Sequence, residues 1–273
     1  SAASDVYKRQ KYNGSLRARK SWFFFDNRIV CMGSDIENKA EGGVHTTLFQ
    51  NFLVDVADPL VVNGEAVTQF PYRAELAGGA VLRDNLRNAY FVPKGRVVVS
   101  KSLQRSLDEE TDAPTENNFA TAWIDHGRAP KQAGYEYAVY IQPTNKEITR
   151  LIKKDGYEVL RRDNTAHVVK DLATGITGYV CFGEYTGQGL VRKATGESIV
   201  MERTDTDGQV VMSVCTPDLG LTEKTYTTRQ ESRPIEKEVL LDGAWELAAQ
   251  YPGVEAVSHD TGTLLKITCL LYT

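Results

Sequence analysis
The stretch from residue 20 to residue 50, KSWFFFDNRIVCMGSDIENKAEGGVHTTLFQ, is hard to fold as anything but β-structure. Residues 22–25 and 28–32 are short runs rich in aromatic and branched side chains, which suit a pleated, half-buried surface. Between them lies Asp26-Asn27, two residues that tolerate positive φ, as a two-residue type I′ hairpin turn demands. Gly33 is expected to end the second strand, residues 34–43 to form a polar loop, and residues 45–53 to return to an extended pattern. At a strict two-residue period, Thr46, Leu48 and Gln50 would share one face, and Thr47, Phe49 and Asn51 the other.

The same grammar continues along the chain. Asn63-Gly64, between two branched runs, is a strong hairpin signal. Residues 81–90 and 96–100 read as strands, with Pro93-Lys94-Gly95 as the turn. Residues 102–118 are polar and acidic and read as a long connection. Residues 119–125 and 135–142 read as the next strand pair, with Tyr135, Tyr137, Val139 and Ile141 on one face. One helix is expected: Thr144-Asn145-Lys146-Glu147 has the capping-box form, Ile148, Leu151 and Ile152 make an apolar stripe, and Gly156 fits the stop. Strands resume over 157–161, 166–169 and 177–182. The glycines of residues 183–189 suggest a boundary, and beyond it Asp207-Gly208, Asp242-Gly243 and Asp260-Thr261-Gly262 mark hairpins. Turn chemistry every ~8–12 residues among short strands indicates β-sandwiches.

At 273 residues, 41% hydrophobic and 25% charged, the chain has enough apolar mass for two packed domains. A formal charge of −4 argues against a nucleic-acid partner, yet is compatible with a local basic groove for an anionic ligand. No apolar run approaches the ~20 residues of a membrane span, so no membrane partner is expected. Cys31, Cys181, Cys215 and Cys269 form no CxxC pair and are expected as free, buried thiols. No cluster has metal-ligand spacing; no cofactor is read here, and a calcium requirement is not legible in the residues. Residues 1–10 (SAASDVYKRQ) and 269–273 (CLLYT) resemble adaptor-derived tails and are expected to be non-native, which would make the chain a piece of a longer one.

Longer segments carry a resemblance. FDNRIVCMGSDIEN and TTLFQ, then NNFATAWIDHGRAPKQAGYEYAVYIQP, then CTPDL, closely resemble the β-domains of polysaccharide lyase family 8, and more narrowly bacterial chondroitin sulfate ABC lyases, over about residues 11–267. The resemblance implies an all-β fold. A large antiparallel supersandwich of galactose mutarotase-like form would occupy 11–185, and a smaller C-terminal β-sandwich 186–268. It implies β-elimination at a uronic acid of chondroitin or dermatan sulfate. A base removes the C5 proton, the uronate carboxylate is neutralised and an acid protonates the leaving oxygen. It also implies that the Tyr, His and Arg of that chemistry lie on a preceding helical domain. The partners would then be a sulfated glycosaminoglycan and that domain, and the parent would be secreted or periplasmic in a bacterium.

The candidate residues follow from the same segments. The resemblance implies a catalytic carboxylate, a Glu, immediately before TTLFQ; this chain has His45 there. Imidazole cannot replace the negative charge, although it can donate or accept a hydrogen bond, and Glu37 or Glu41 are the nearby carboxylates that would compensate. Trp123, His126 and Arg128 are candidates for stacking on and charge-pairing with a sulfated sugar. The structural alternative for this block is a core Trp with an Asp125 bridge, to Arg or His, that fixes the following turn. Arg83 and Arg87 are weighed as sulfate contacts against a solvated strand face, and His167 and His259 read as structural. A non-catalytic carbohydrate-binding module that has lost the carboxylate is the competing reading. A mutarotase-like enzyme is a weaker one, resting on fold analogy alone.

Overall fold
The structure is a computed structural model that describes residues 14–152, 156–217 and 234–269. Residues 1–10, set apart by sequence, lie outside the described residues; of the second tail only Cys269 is described, and it ends a strand, opposite Ile235. The chain divides into two compact units, the first ending at Tyr157 and the second beginning at Glu158.

The first unit runs β1 (Arg17–Phe25), β2 (Arg28–Glu37), β3 (Gly43–Phe52), β4 (Leu60–Val62), β5 (Glu65–Val67), β6 (Tyr72–Leu76), β7 (Ala80–Arg83), β8 (Ala89–Val92), β9 (Arg96–Leu107), β10 (Pro114–Arg128), β11 (Ala133–Tyr140) and the helix α1 (Asn145–Ile152). Two sheets result, of order β1-β2-β11-β8-β7-β4-β5 and β3-β10-β9-β6. Their facing sides supply one core. Phe49, Val97, Val99, Ala120, Ala122 and Ile124 come from the four-stranded sheet, and Cys31, Leu82, Tyr90, Val92, Tyr135 and Tyr137 from the seven-stranded one. Fully burying an aliphatic or Phe side chain contributes roughly 1.5–3 kcal/mol.

The two expected hairpins form. Phe25 pairs with Arg28 around a turn in which Asp26 takes φ 42°, and Asn63 and Gly64 take φ 50° and 93°. The capping box also forms: the Thr144 amide donates to Glu147 Oε2 at 2.6 Å and the Glu147 amide to Thr144 Oγ1 at 3.3 Å. Of the apolar stripe, the side chains of Leu151 and Ile152 lie outside the described residues.

Several sequence expectations change. Gly33 does not end β2; it sits within it, because Tyr135 crosses there, and a Cβ on Gly33 would lie 2.2 Å from the Tyr135 ring. Residues 102–118 are not a loose connection: β9 and β10 continue as a long polar ribbon, closed at 108–113 and paired through Arg105 and Glu116 at 3.1 Å. Exposed on both faces, that ribbon lacks the alternation by which strands are read. Residues 119–125 and 135–142 are not partners, since β10 and β11 belong to different sheets. Pro93-Lys94-Gly95 likewise carries the chain from one sheet to the other.

The second unit contains β12 (Tyr157–Arg162), β13 (Ala166–Asp171), β14 (Thr177–Phe182), β15 (Tyr185–Thr186), β16 (Val191–Ala194), β17 (Glu197–Thr204), β18 (Val210–Cys215), β19 (Ile235–Asp242), β20 (Val254–His259) and β21 (Gly262–Cys269), counting the strand that begins at the boundary residue Tyr157. They form two five-stranded sheets, β12-β13-β14-β17-β18 and β15-β16-β19-β21-β20, whose shared core includes Val168, Tyr179, Val200, Val239, Leu241 and Leu265. The expected division at 185/186 falls inside this unit, because β14 pairs with β17 across it. Gly183 marks a crossing between the two sheets, and Gly187 and Gly189 lie in the turn between the paired strands β15 and β16. Asp242-Gly243 is not a hairpin, since β19 pairs with β21; Asp207-Gly208 and Asp260-Thr261 do turn between paired strands. Buried His167 packs edge-on against Phe182, and exposed His259 bonds Thr261. Cys31 and Cys181 are buried, whereas Cys215, at the exposed end of β18, is exposed and Cys269, at the end of β21, intermediate.

Candidate functional site
The candidate site is the outer face of the four-stranded sheet, and a β-bulge decides which residues reach it. In the β3–β10 ladder Ala122 opposes Phe49 but Trp123 opposes Thr47, so Leu48 is the extra residue. Alternation inverts there. His45, Thr47, Gln50 and Phe52 point outward, while Thr46 and Phe49 are buried. This corrects the strict grouping expected from sequence, which put Leu48 with Gln50 and Phe49 with Thr47. It also places His45 on the solvent side of the sheet, with its side chain 47% exposed.

Directly opposed residues share a face. His45 opposes Asp125, and Asp125 opposes Arg96; Glu75 opposes Val98, which in turn opposes Trp123. The side chains close into a loop across all four strands. His45 Nε2 lies 3.5 Å from Asp125 Oδ1, and Arg96 reaches Asp125 Oδ2 at 3.4 Å. Arg96 donates to Glu75 Oε2 at 2.5 Å, and Arg73 donates to Glu75 Oε1 at 3.1 Å. The Arg73 guanidinium lies 5.4 Å from the Trp123 ring centroid, and the Trp123 ring is tilted at 5.5 Å from His45. The hydrogen bond from Arg96, and then that from Arg73, hold the Glu75 carboxyl below its ordinary range.

Asp125 is the fixed point of this loop. Its side chain is 15% exposed, and its Oδ1 accepts the Gly127 amide at 2.8 Å. Asp125 therefore pairs with His45 and Arg96 of the neighbouring strands, not with the His126 or Arg128 of its own block, and its bond to the Gly127 amide holds the following turn. Glu37 and Glu41 do not supply a carboxylate to His45: Glu37 accepts from Arg17 at 2.6 Å in the other sheet, and Glu41 is exposed on the loop. The carboxylate beside His45 is Asp125.

The other sequence candidates separate. Trp123 joins the loop. His126 turns away, hydrogen-bonded through Nε2 to Thr46 Oγ1 at 2.8 Å and 6.0 Å from the Tyr135 ring. Burial pushes its pKa down to about 4; His45 and Lys20 add to the effect and Asp125 opposes it. A neutral, partly buried imidazole bonded inward is poorly placed to meet a sulfate. Arg128 is exposed at the end of β10, opposite Gly43. Arg83 lies on β7 of the seven-stranded sheet, and Arg87, with φ 71°, lies in the turn after it. Sequence reasoning missed Arg73, Glu75 and Arg96, because only the order β10-β9-β6 brings their strands beside Trp123 and Asp125. Among the described residues no group of three or more His, Cys, Asp or Glu is arranged to hold a metal ion. No helix among them is long and apolar enough to cross a membrane.

Comparisons with known proteins give the family of the chain. Residues 2–152 match the family model "Polysaccharide lyase family 8, super-sandwich domain", a match that begins inside the first expected tail. The chain is 32% identical over 267 residues to the chondroitin sulfate ABC endolyase of Proteus vulgaris, covering 95% of this chain and 26% of that protein. It is 32% identical over 288 residues to the chondroitin sulfate ABC exolyase of Bacteroides thetaiotaomicron, covering 97% and 27%. The chain thus spans about a quarter of the length of these relatives. Among solved structures, a Paenibacillus xanthan lyase superposes with TM-score 0.79 at 20% identity, over 97% of this chain and 26% of that one. A Streptomyces coelicolor chondroitin AC lyase, solved in complex with chondroitin sulphate, superposes with TM-score 0.74 at 20% identity, over 99% and 33%. At that identity the superpositions speak for the fold. Together with the all-β architecture, the family match and the sequence identities show that this chain belongs to polysaccharide lyase family 8.

Proposed function
We propose that this chain is the β-part of a glycosaminoglycan lyase that cleaves chondroitin or dermatan sulfate by β-elimination at uronic acid. The observation that carries the reading is the 32% identity to two chondroitin sulfate ABC lyases along nearly the whole chain. In this reading the outer face of β3-β10-β9-β6 is the wall along which the sugar lies. A C5 proton is weakly acidic, so elimination needs a positioned base and a neutralised uronate. The resemblance implies that these come from a preceding helical domain, so this chain alone would show no elimination. His45 contributes an imidazole with a carboxylate, Asp125, directly behind it. A partner carboxylate orients a histidine ring, so Asp125 keeps a carboxylate beside the position where the family is expected to place Glu. Trp123 backs the imidazole, and Arg128 is exposed at the end of the same strand. The parent would act outside the bacterial cytoplasm, secreted or periplasmic.

The test is to extend the coding sequence upstream, express the longer protein and follow the absorbance of unsaturated uronate on chondroitin sulfate. Appearance of the product supports the lyase reading. The His at position 45 favours one alternative, a module that binds the polysaccharide without cutting it; intact binding with no absorbance would select that alternative.

A further inference from the structure
Arg73 and Arg96 converge on one carboxylate, and each is anchored independently of it. Arg96 is also held by Asp125 at 3.4 Å, and Arg73 also lies over the Trp123 ring at 5.4 Å. The side chain of Glu75, between them, is 44% exposed, and those of the two arginines are 56% and 55% exposed. Ion pairs so exposed contribute little and exchange readily. Guanidinium groups pair bidentately with carboxylates and with sulfate-type oxyanions alike. Removing Glu75 would therefore leave two cations in place, facing outward, on the same sheet face as His45.

We propose that Arg73 and Arg96 form a binding site for an anionic group of an acidic polysaccharide, a carboxylate or a sulfate ester, and that Glu75 is the internal occupant which the ligand replaces. The inference deepens, and rests on, the reading of this face as the sugar wall. The site's selectivity is for charge: a neutral glycan gains nothing from displacing Glu75. No bond is made or broken; one carboxylate is exchanged for another oxyanion.

The experiment measures binding and needs no turnover, so it is separate from the test of lyase activity. The chain and its variants E75Q, R73Q, E75Q/R73Q and E116Q are titrated with chondroitin sulfate, hyaluronan and maltodextrin oligosaccharides in low salt. Glu116 pairs with Arg105 on the distant ribbon and controls for general electrostatics. E75Q is expected to tighten acidic oligosaccharides about 3–10-fold, with E116Q within 2-fold and maltodextrin unaffected. Adding R73Q to E75Q should abolish the gain. A gain with hyaluronan as well as chondroitin sulfate assigns the carboxylate, and a gain with chondroitin sulfate alone assigns the sulfate ester. Equal gains from E75Q and E116Q, no change in E75Q, or no binding of acidic oligosaccharides by any form would overturn the proposal.

Discussion

Asp125 and His45 face each other across β10 and β3, with Oδ1 of the carboxylate 3.5 Å from Nε2 of the imidazole. Putting Glu at position 45 would set two carboxylates directly opposite one another, and like charges so placed are destabilising. His45→Glu is expected to lower stability by about 0.5–1 kcal/mol, and Asp125→Asn to relieve that loss in the double variant. Urea midpoints of the four forms, taken as a double-mutant cycle, check this. Additive effects would mean the two side chains do not interact.

Leu48 is the extra residue of the β3 bulge. Deleting it would leave Thr47 and Phe49 adjacent, so that strict alternation keeps His45 and Thr47 outward and Phe49 inward and only the bulge is lost. The expected outcome is a folded chain that loses about 0.5–3 kcal/mol through the lost Leu48 packing and bulge, whereas Leu48→Ala, which keeps the bulge, is milder. Circular dichroism with denaturant titration distinguishes the two.

His126 makes stability depend on pH. Its folded-state pKa is depressed from 6.5 to about 4, so the unfolded chain takes up the proton first as pH falls. The contribution is fully present above pH 6.5 and is lost progressively toward pH 4, on the order of 1 kcal/mol across the window. His126→Gln should therefore cost less relative to the parent at pH 5 than at pH 7.5, read from urea midpoints. A gap independent of pH would contradict the assignment.

The thiols should divide by position. Burial pushes Cys31 and Cys181 up to about 12, so neither offers a reactive thiolate near neutral pH, while Cys215 is exposed. An aromatic disulfide reagent is expected to label Cys215 well before Cys31 and Cys181, which should react only after denaturant is added. Peptide mapping of the labelled chain gives the order.

Much of the architecture was legible in local chemistry. Asn63-Gly64, Asp26-Asn27 and the Thr144–Glu147 box each act through their own backbone, and each hairpin and the cap form, although at Asp26-Asn27 only Asp26 takes the positive φ that a type I′ turn needs at both residues. What was not legible depends on non-local pairing. Residues 119–125 and 135–142 look like partners because both alternate, yet which sheet a strand joins is decided by the turn between them, where Ala129 and Gln132 take φ 42° and 53°. The β9–β10 ribbon was invisible because its pairing is polar. Trp123 was found because it stands in a shared segment and His45 because it directly precedes one; Arg73, Glu75 and Arg96 stand in none and meet them only through sheet order.

The most direct test of the sugar wall uses the chain's three tryptophans, Trp22, Trp123 and Trp245. Their indole N–H signals, assigned by single substitutions, can be followed by NMR while a chondroitin sulfate oligosaccharide is added. The Trp123 signal is expected to move in a saturable way while the Trp22 and Trp245 signals stay in place. A Trp123 signal unmoved at saturating sugar, or movement confined to Trp22 or Trp245, would contradict the sugar wall.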